Sequence, residues 1–267
     1  MKKVLALLMA AAMILSLAAC GNKNPDSNDD SNDKKTALIL GTSADYAPFE
    51  FMYPDDKGEL TYAGIDVSVA QYIADDMGLS LQVENMAFEY LLTSLGKGDF
   101  DMVLAAMEAT PDRLENADFS DPYYTDYPPM ILVKKENADQ YKTLADFDGK
   151  AVGAQTGTTK ADIVTNDMPG ANLVALQLVT DLVNQLMYDK VDAVVVDGSV
   201  ANQYVAENDD FVIAEASSEL GAAEPYCVAV QKGDPKGLLP GINEAIAKIN
   251  SENKIEEFIS LADSLSG

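Results

Sequence analysis

The chain has no histidine and no tryptophan, two cysteines, and 18 lysines and arginines against 44 aspartates and glutamates. Without histidine there is no histidine-based triad, no imidazole proton shuttle and none of the common zinc ligand sets. A formal net charge of −26 argues against a nucleic-acid partner, which calls for a basic face; the acidic surplus fits a solvated surface. Long apolar runs are also missing. The stretch over residues 4–15, behind Lys2 and Lys3, is too short and wrongly flanked for a stable membrane span, and it reads as a secretory signal.

That signal ends in Leu17-Ala18-Ala19-Cys20, which resembles a lipobox. In such signals the cysteine thiol is acylated and the chain is cut just before it. The resemblance therefore implies a signal peptide over 1–19 and Cys20 as a lipidated mature N-terminus, held to the membrane by two or more acyl chains. Losing Lys2 and Lys3 removes two positive charges and takes −26 to −28. Cys227 then stands alone in the body of the chain, so no intramolecular disulfide is available. Its setting, Tyr226-Cys227-Val228-Ala229-Val230, is strand-like and suits a buried thiol. Residues 21–35 carry no apolar side chain and are expected to be a disordered tether. Beyond them, 48% apolar content suffices for one large or two medium domains.

The most informative stretch is 105–124, A-A-M-E-A-T-P-D-R-L-E-N-A-D-F-S-D-P-Y-Y. Residues 102–106 suit a buried strand. Thr110 is a good N-cap, Pro111 fits a first helical turn, and Asp112 favours the positive end of the helix dipole. Backbone N–H groups and the forked guanidinium of Arg113 would then converge on one point, suited to a carboxylate; the plainer alternative is a helix cap with a surface ion pair. The run T-P-D-R-x5-F-S-D-P-Y-Y resembles the amino-acid-binding family of extracytoplasmic solute-binding proteins, the receptors that feed ABC importers.

Further motifs follow in that family's order. Tyr46-Ala47-Pro48-Phe49 resembles its Y-x-P-F loop, which implies that Tyr46 lies against the ligand. Gly64-Ile65-Asp66-Val67-Ser68-Val69-Ala70 resembles G-x-D-x-D-x-A, with Ser68 in place of the second acid. Phe88 matches a ring facing the ligand opposite Tyr46. Gln155-Thr156-Gly157-Thr158-Thr159 resembles Q-x-G-T-T and opens a second helix, offering N–H donors to an anion or serving as a plain cap. Asp197 resembles the carboxylate that meets the ligand's α-ammonium, or it caps the helix after it. Cys227 replaces the usual glycine at the return crossing. The order helix, aspartate, buried strand, polar residue occurs twice, at 91–108 and again at 181–197, as expected of two similar α/β units facing one cleft.

The resemblance implies a two-lobed, type II periplasmic-binding-protein-like α/β fold, each lobe a mixed sheet flanked by helices, joined by a two-strand hinge. Lobe one would hold residues 37–124 and 226–267, and lobe two residues 128–222. It implies a monomeric receptor on the outer face of the cytoplasmic membrane that closes on a free amino acid and delivers it to a permease, with no cofactor and no metal. Arg113, Thr110 and the amides near Thr158 and Thr159 would hold the carboxylate, Asp197 the ammonium, and Tyr46 and Phe88 the side chain, with Gln155 also in the site. Glu108 departs from the Ser or Thr usual there. A carboxylate facing the ligand's own would have to turn away, carry a proton, or pair with a cationic ligand group, the last favouring lysine- or arginine-like ligands. Ser43, where basic-amino-acid receptors often carry an acid, points the other way. Two other uses of the fold stay open: a dehydratase-like enzyme with Glu108 as general acid, and a receptor that signals rather than transports.

Overall fold

The computed structural model describes residues 36–266; the signal segment, Cys20 and the tether lie outside the described residues. The chain opens with β1 (Ala37–Thr42), whose Leu38 and Leu40 are fully buried. β2 (Asp45–Tyr46), β3 (Glu50–Pro54) and β4 (Leu60–Ala63) form a small antiparallel sheet. In its hairpin turn the Gly58 N–H donates to the Asp55 carbonyl at 2.8 Å. Gly64 precedes α1 (Ile65–Asp76) with φ +127°, where a Cβ would overlap the Phe49 carbonyl. The glycine of the G-x-D signature is therefore required by backbone shape and by space. β5 (Ser80–Asn85), α2 (Leu91–Lys97), β6 (Met102–Val103), α3 (Pro111–Leu114) and β7 (Ala117–Tyr124) follow. The strand expected over 102–106 stops at Val103, because Ala106 turns into the left-handed region at φ +45° and its N–H donates to Asp66 Oδ2 at 2.7 Å.

After a crossing at 125–129 the chain forms β8 (Met130–Lys134), β9 (Ala151–Gln155), α4 (Thr159–Asn166), β10 (Asn172–Leu176), α5 (Val179–Met187), β11 (Ala193–Val196), α6 (Gly198–Glu207) and β12 (Phe211–Ile213). It returns through 220–225 into β13 (Tyr226–Gln231), α7 (Leu239–Ser251) and α8 (Lys254–Ser266). Two five-stranded sheets result, ordered β5-β1-β6-β13-β7 and β10-β9-β11-β8-β12. In each, three parallel strands are followed by one that runs the other way, β13 beside β6 and β8 beside β11. In both sheets the reversed strand is the one that has just crossed from the other sheet.

The two sheets repeat one local device. Asp101, ahead of β6, accepts the Ile39 N–H of β1 at 2.7 Å, and Asp192, ahead of β11, accepts the Ala151 N–H of β9 at 2.8 Å. All four residues of β11, Ala-Val-Val-Val, are buried, as befits a central strand covered on both faces. α7 buries Ile242, Ala245, Ile246 and Ile249 at i, i+3, i+4 and i+7; each isoleucine removed from water contributes about 1.5–3 kcal/mol. Cys227 is buried, and the β13–β7 register shifts on either side of it, which is how the strand accommodates a side chain at the crossing. Burial also pushes its thiol up to about 11, so it is unreactive near neutral pH. The expected two-lobed α/β architecture is present, with the carboxyl ends of β6, β9 and β11 facing one cleft.

Candidate functional site

The first lobe's contribution is set by a buried acid. Asp66 accepts the Ala106 N–H through Oδ2 and the Tyr123 hydroxyl through Oδ1, both at 2.7 Å, and so fixes the turn that leads from β6 to Glu108. Just beyond, the Cys227 N–H donates to the Met107 carbonyl at 2.9 Å. Thr110 caps α3 as expected, accepting the Arg113 N–H at 3.3 Å, but the helix is a single turn and the hydroxyl is committed to it. Arg113 is the single arginine of the chain. Its Nη1 donates to the Glu108 carbonyl at 3.0 Å and to Glu108 Oε2 at 2.7 Å, and its guanidinium lies over the Phe88 ring at 5.1 Å. It is therefore a cleft residue, with a side chain 11% exposed, and the surface-ion-pair alternative falls away.

The second lobe meets it across the cleft. β9 ends in Gln155, whose Nε2 donates to the Gln177 carbonyl at 2.9 Å. Thr158 behaves as a plain cap: its hydroxyl donates to the Gln155 carbonyl at 2.7 Å and accepts from the Ala161 N–H at 3.4 Å. Thr159 Oγ1 donates to Glu108 Oε1 at 2.8 Å. Lys160 Nζ reaches both carboxylates, at 2.8 Å from Glu108 Oε1 and at 2.7 and 2.9 Å from the Asp197 oxygens. Asp197 precedes α6 yet its side chain makes no cap bond. The Ser199 N–H is instead taken by Asp126 at 3.0 Å, which leaves Asp197 to the cleft. There it also accepts the Tyr46 hydroxyl at 2.7 Å, while its own N–H donates to Tyr46 Oη at 2.9 Å.

Tyr46, Phe88, Glu108, Gln155, Thr158 and Asp197, all singled out from the sequence, line one cavity together with Glu50, Ala105, Ala106 and Lys160. Arg113 and Thr159 stand behind Glu108, and Thr110 acts through the cap. Tyr46 takes part through its hydroxyl, and Phe88 stacks under Arg113. In the chain alone Glu108 faces the cleft as a carboxylate. It does not turn away, and it does not carry a proton: burial pushes its carboxyl up, but Lys160 and Arg113 outweigh burial and hold it down at about 2. Its cationic partners come from the chain itself. Burial likewise works against the Lys160 charge, yet Asp197 and Glu108 hold the ammonium above the usual lysine range. The four charges of Arg113, Lys160, Glu108 and Asp197 cancel.

Sequence reading missed Lys160, Glu50 and Asp66. Lys160 had a signal: it stands in the first turn of α4, where the helix dipole disfavours a cation, so carboxylates nearby were called for. Glu50 is 1% exposed and its Oε2 has no hydrogen-bond partner. Burial, then the Asp66 and Asp45 carboxylates, push it well above the usual carboxyl range. Burial also pushes Asp66 up to about 6, against the bonds from Ala106 and Tyr123. Among the described residues no cluster of histidine, cysteine and acids is placed to hold a metal ion.

A comparison with protein families matches residues 38–260 to the bacterial extracellular solute-binding proteins, family 3. The chain belongs to that family. The arginine-binding extracellular protein ArtP of Bacillus subtilis is 36% identical over 262 residues, covering 96% of each chain. The glutamine-binding protein GlnH of the same organism is 27% identical over 271 residues, again covering 96% of each. Among solved structures, an amino-acid ABC transporter substrate-binding protein from Streptococcus pneumoniae, crystallised with L-arginine, superposes with a TM-score of 0.82 at 35% identity, covering 87% of this chain and 96% of that one. Family 3 members are solute-binding proteins of transport and not enzymes, so the dehydratase-like alternative is set aside. No helix among the described residues of this family 3 chain is long and apolar enough to cross a membrane.

Proposed function

We propose that the chain is the substrate-binding lipoprotein of an amino-acid ABC importer, capturing a free amino acid by lobe closure and passing it to a permease. The observation that carries this is a cavity lined by Asp197 from one lobe and Glu108 from the other, with the Arg113 guanidinium on the far side of Glu108 at 2.7 Å. A zwitterion satisfies both Arg113 and Asp197 only when the lobes come together, which couples closure to binding. The chain's own side chains already bridge the lobes there, through Tyr46 to Asp197, Thr159 to Glu108, and Arg113 to the Gly157 carbonyl at 3.3 Å. The hinge would be the crossings at 125–129 and 220–225, between lobe one (37–124 and 226–267) and lobe two (128–222).

The ligand we favour carries a cationic side chain. Glu50, buried at the cavity and hydrogen-bonded to Asp66, is the acid such a side chain would meet, giving up its proton to form an ion pair. The arginine-binding relatives support the same choice. The lipobox-like segment supports removal of residues 1–19, acylation of Cys20 and tethering at the outer face of the cytoplasmic membrane. Titration calorimetry on the mature chain, unfolded and refolded to strip carried solute, tests the proposal. One-to-one binding of arginine or lysine is expected; binding of neutral amino acids alone would remove the role of Glu50, and no binding of any α-amino acid would overturn the proposal.

A further inference from the structure

We infer that Lys160 is a tethered competitor for the ligand's ammonium group and, through Glu108, a latch that holds the two lobes together. The inference rests on the amino-acid reading for the identity of the seat, and on geometry alone for the latch. Lys160 is 5% exposed, and its Nζ stands 2.7 Å from Asp197 and 2.8 Å from Glu108. A primary ammonium so placed, with the Tyr46 hydroxyl on the same Asp197 oxygen pair, has the partners that the α-ammonium of an amino acid would need. Glu108 completes the imitation. Its carboxylate lies on Arg113 at 2.7 Å, a donor assigned to an α-carboxylate, and on the Thr159 hydroxyl at 2.8 Å, beside the amides assigned with it. Glu108 from one lobe and Lys160 from the other therefore present, end to end, the two charged groups of a zwitterion.

The consequence is competition between an intramolecular and an intermolecular cation for one seat. A solute's ammonium enters only as Lys160 leaves, so the observed dissociation constant is the intrinsic one multiplied by one plus the latching constant. Because the latch spans the lobes, the same constant sets how often the lobes are drawn together without solute. Lys160 thus tunes affinity through its contact with Asp197 and resting conformation through its contact with Glu108, and a solute must outbid a cation held at high local concentration.

Lys160→Met tests this, since it keeps the apolar stem and removes the charge while Glu108 stays paired with Arg113. Titration of L-arginine, L-lysine and L-glutamine into the wild-type chain and K160M is expected to show tighter binding by the variant, by about tenfold or more. Small-angle X-ray scattering without added solute is expected to show a larger radius of gyration for K160M. Weaker binding by K160M would make Lys160 a direct holder of the ligand carboxylate and overturn the inference, as would equal affinities together with an unchanged radius. Expansion of K160M in a pair of proteins that bind none of these amino acids would support the latch while refuting the proposed ligand.

Discussion

Glu108→Gln removes one negative charge from the centre of the cleft while keeping its shape. In the folded chain Glu108 is held near 2, against an ordinary 4.5, a difference that corresponds to about 3 kcal/mol at about 1.4 kcal/mol per unit. The side chain is 8% exposed, so solvent screening removes little of this; but the lobes can part and rewet the freed cations, which makes about 3 kcal/mol a ceiling. The sign is fixed by the direction. A lowered carboxyl contributes stability above its unfolded value, and that stability is lost as pH falls from about 4.5 towards about 2. Urea denaturation of both proteins between pH 2 and 7 is the assay. The wild type should be more stable by about 1–3 kcal/mol at pH 7, and the difference should shrink to near zero at pH 2. A difference that stays constant with pH would show that Glu108 stabilises by packing and not as an ion, and would refute the charge assignment.

Glu50→Gln should act in the opposite sense: Glu50 is raised, so its contribution is present below 4.5 and lost as pH rises through its folded value, and the variant should lose that decline in denaturation series from pH 4 to 8. The same variant should weaken binding of L-arginine more than binding of L-glutamine in calorimetry. Asp66→Asn replaces an acceptor facing the Ala106 N–H and the Tyr123 hydroxyl by a group that accepts from only one of them; a loss of about 1–3 kcal/mol in chemical denaturation is expected, and an unchanged midpoint would count against Asp66 as the anchor of the 104–108 turn.

What was legible in the sequence is what neighbouring residues decide among themselves. Thr110 caps α3 because the cap and its target are three residues apart. The family motifs point to Tyr46, Phe88 and Asp197, which line one cavity, and to Arg113, which lies over the Phe88 ring. Local reasoning failed where a distant residue intervened. The strand expected to reach Ala106 is cut short by Asp66, 40 residues earlier. Asp197 looks like a cap from its sequence position, yet its partners are 151 and 37 residues away. Glu108 could not be assigned a partner because the answer, Lys160, lies 52 residues on and on the other sheet. Counter-ions are a property of the folded cleft, and only the helix-dipole misplacement of Lys160 hinted at one.

The reversed strands β13 and β8 have a consequence for biogenesis. The second sheet is drawn entirely from residues 130–213, one uninterrupted length of chain, so it can be completed as soon as that length is available. The first sheet has β13, at residues 226–231, as the neighbour of both β6 and β7, so β7 has no place in it until the second sheet's whole sequence has passed. Of the N-terminal strands it is β7 whose place in the sheet depends on that C-terminal strand. The cleft needs both sheets, so its first-lobe wall is complete only once the C-terminal strand β13 has joined.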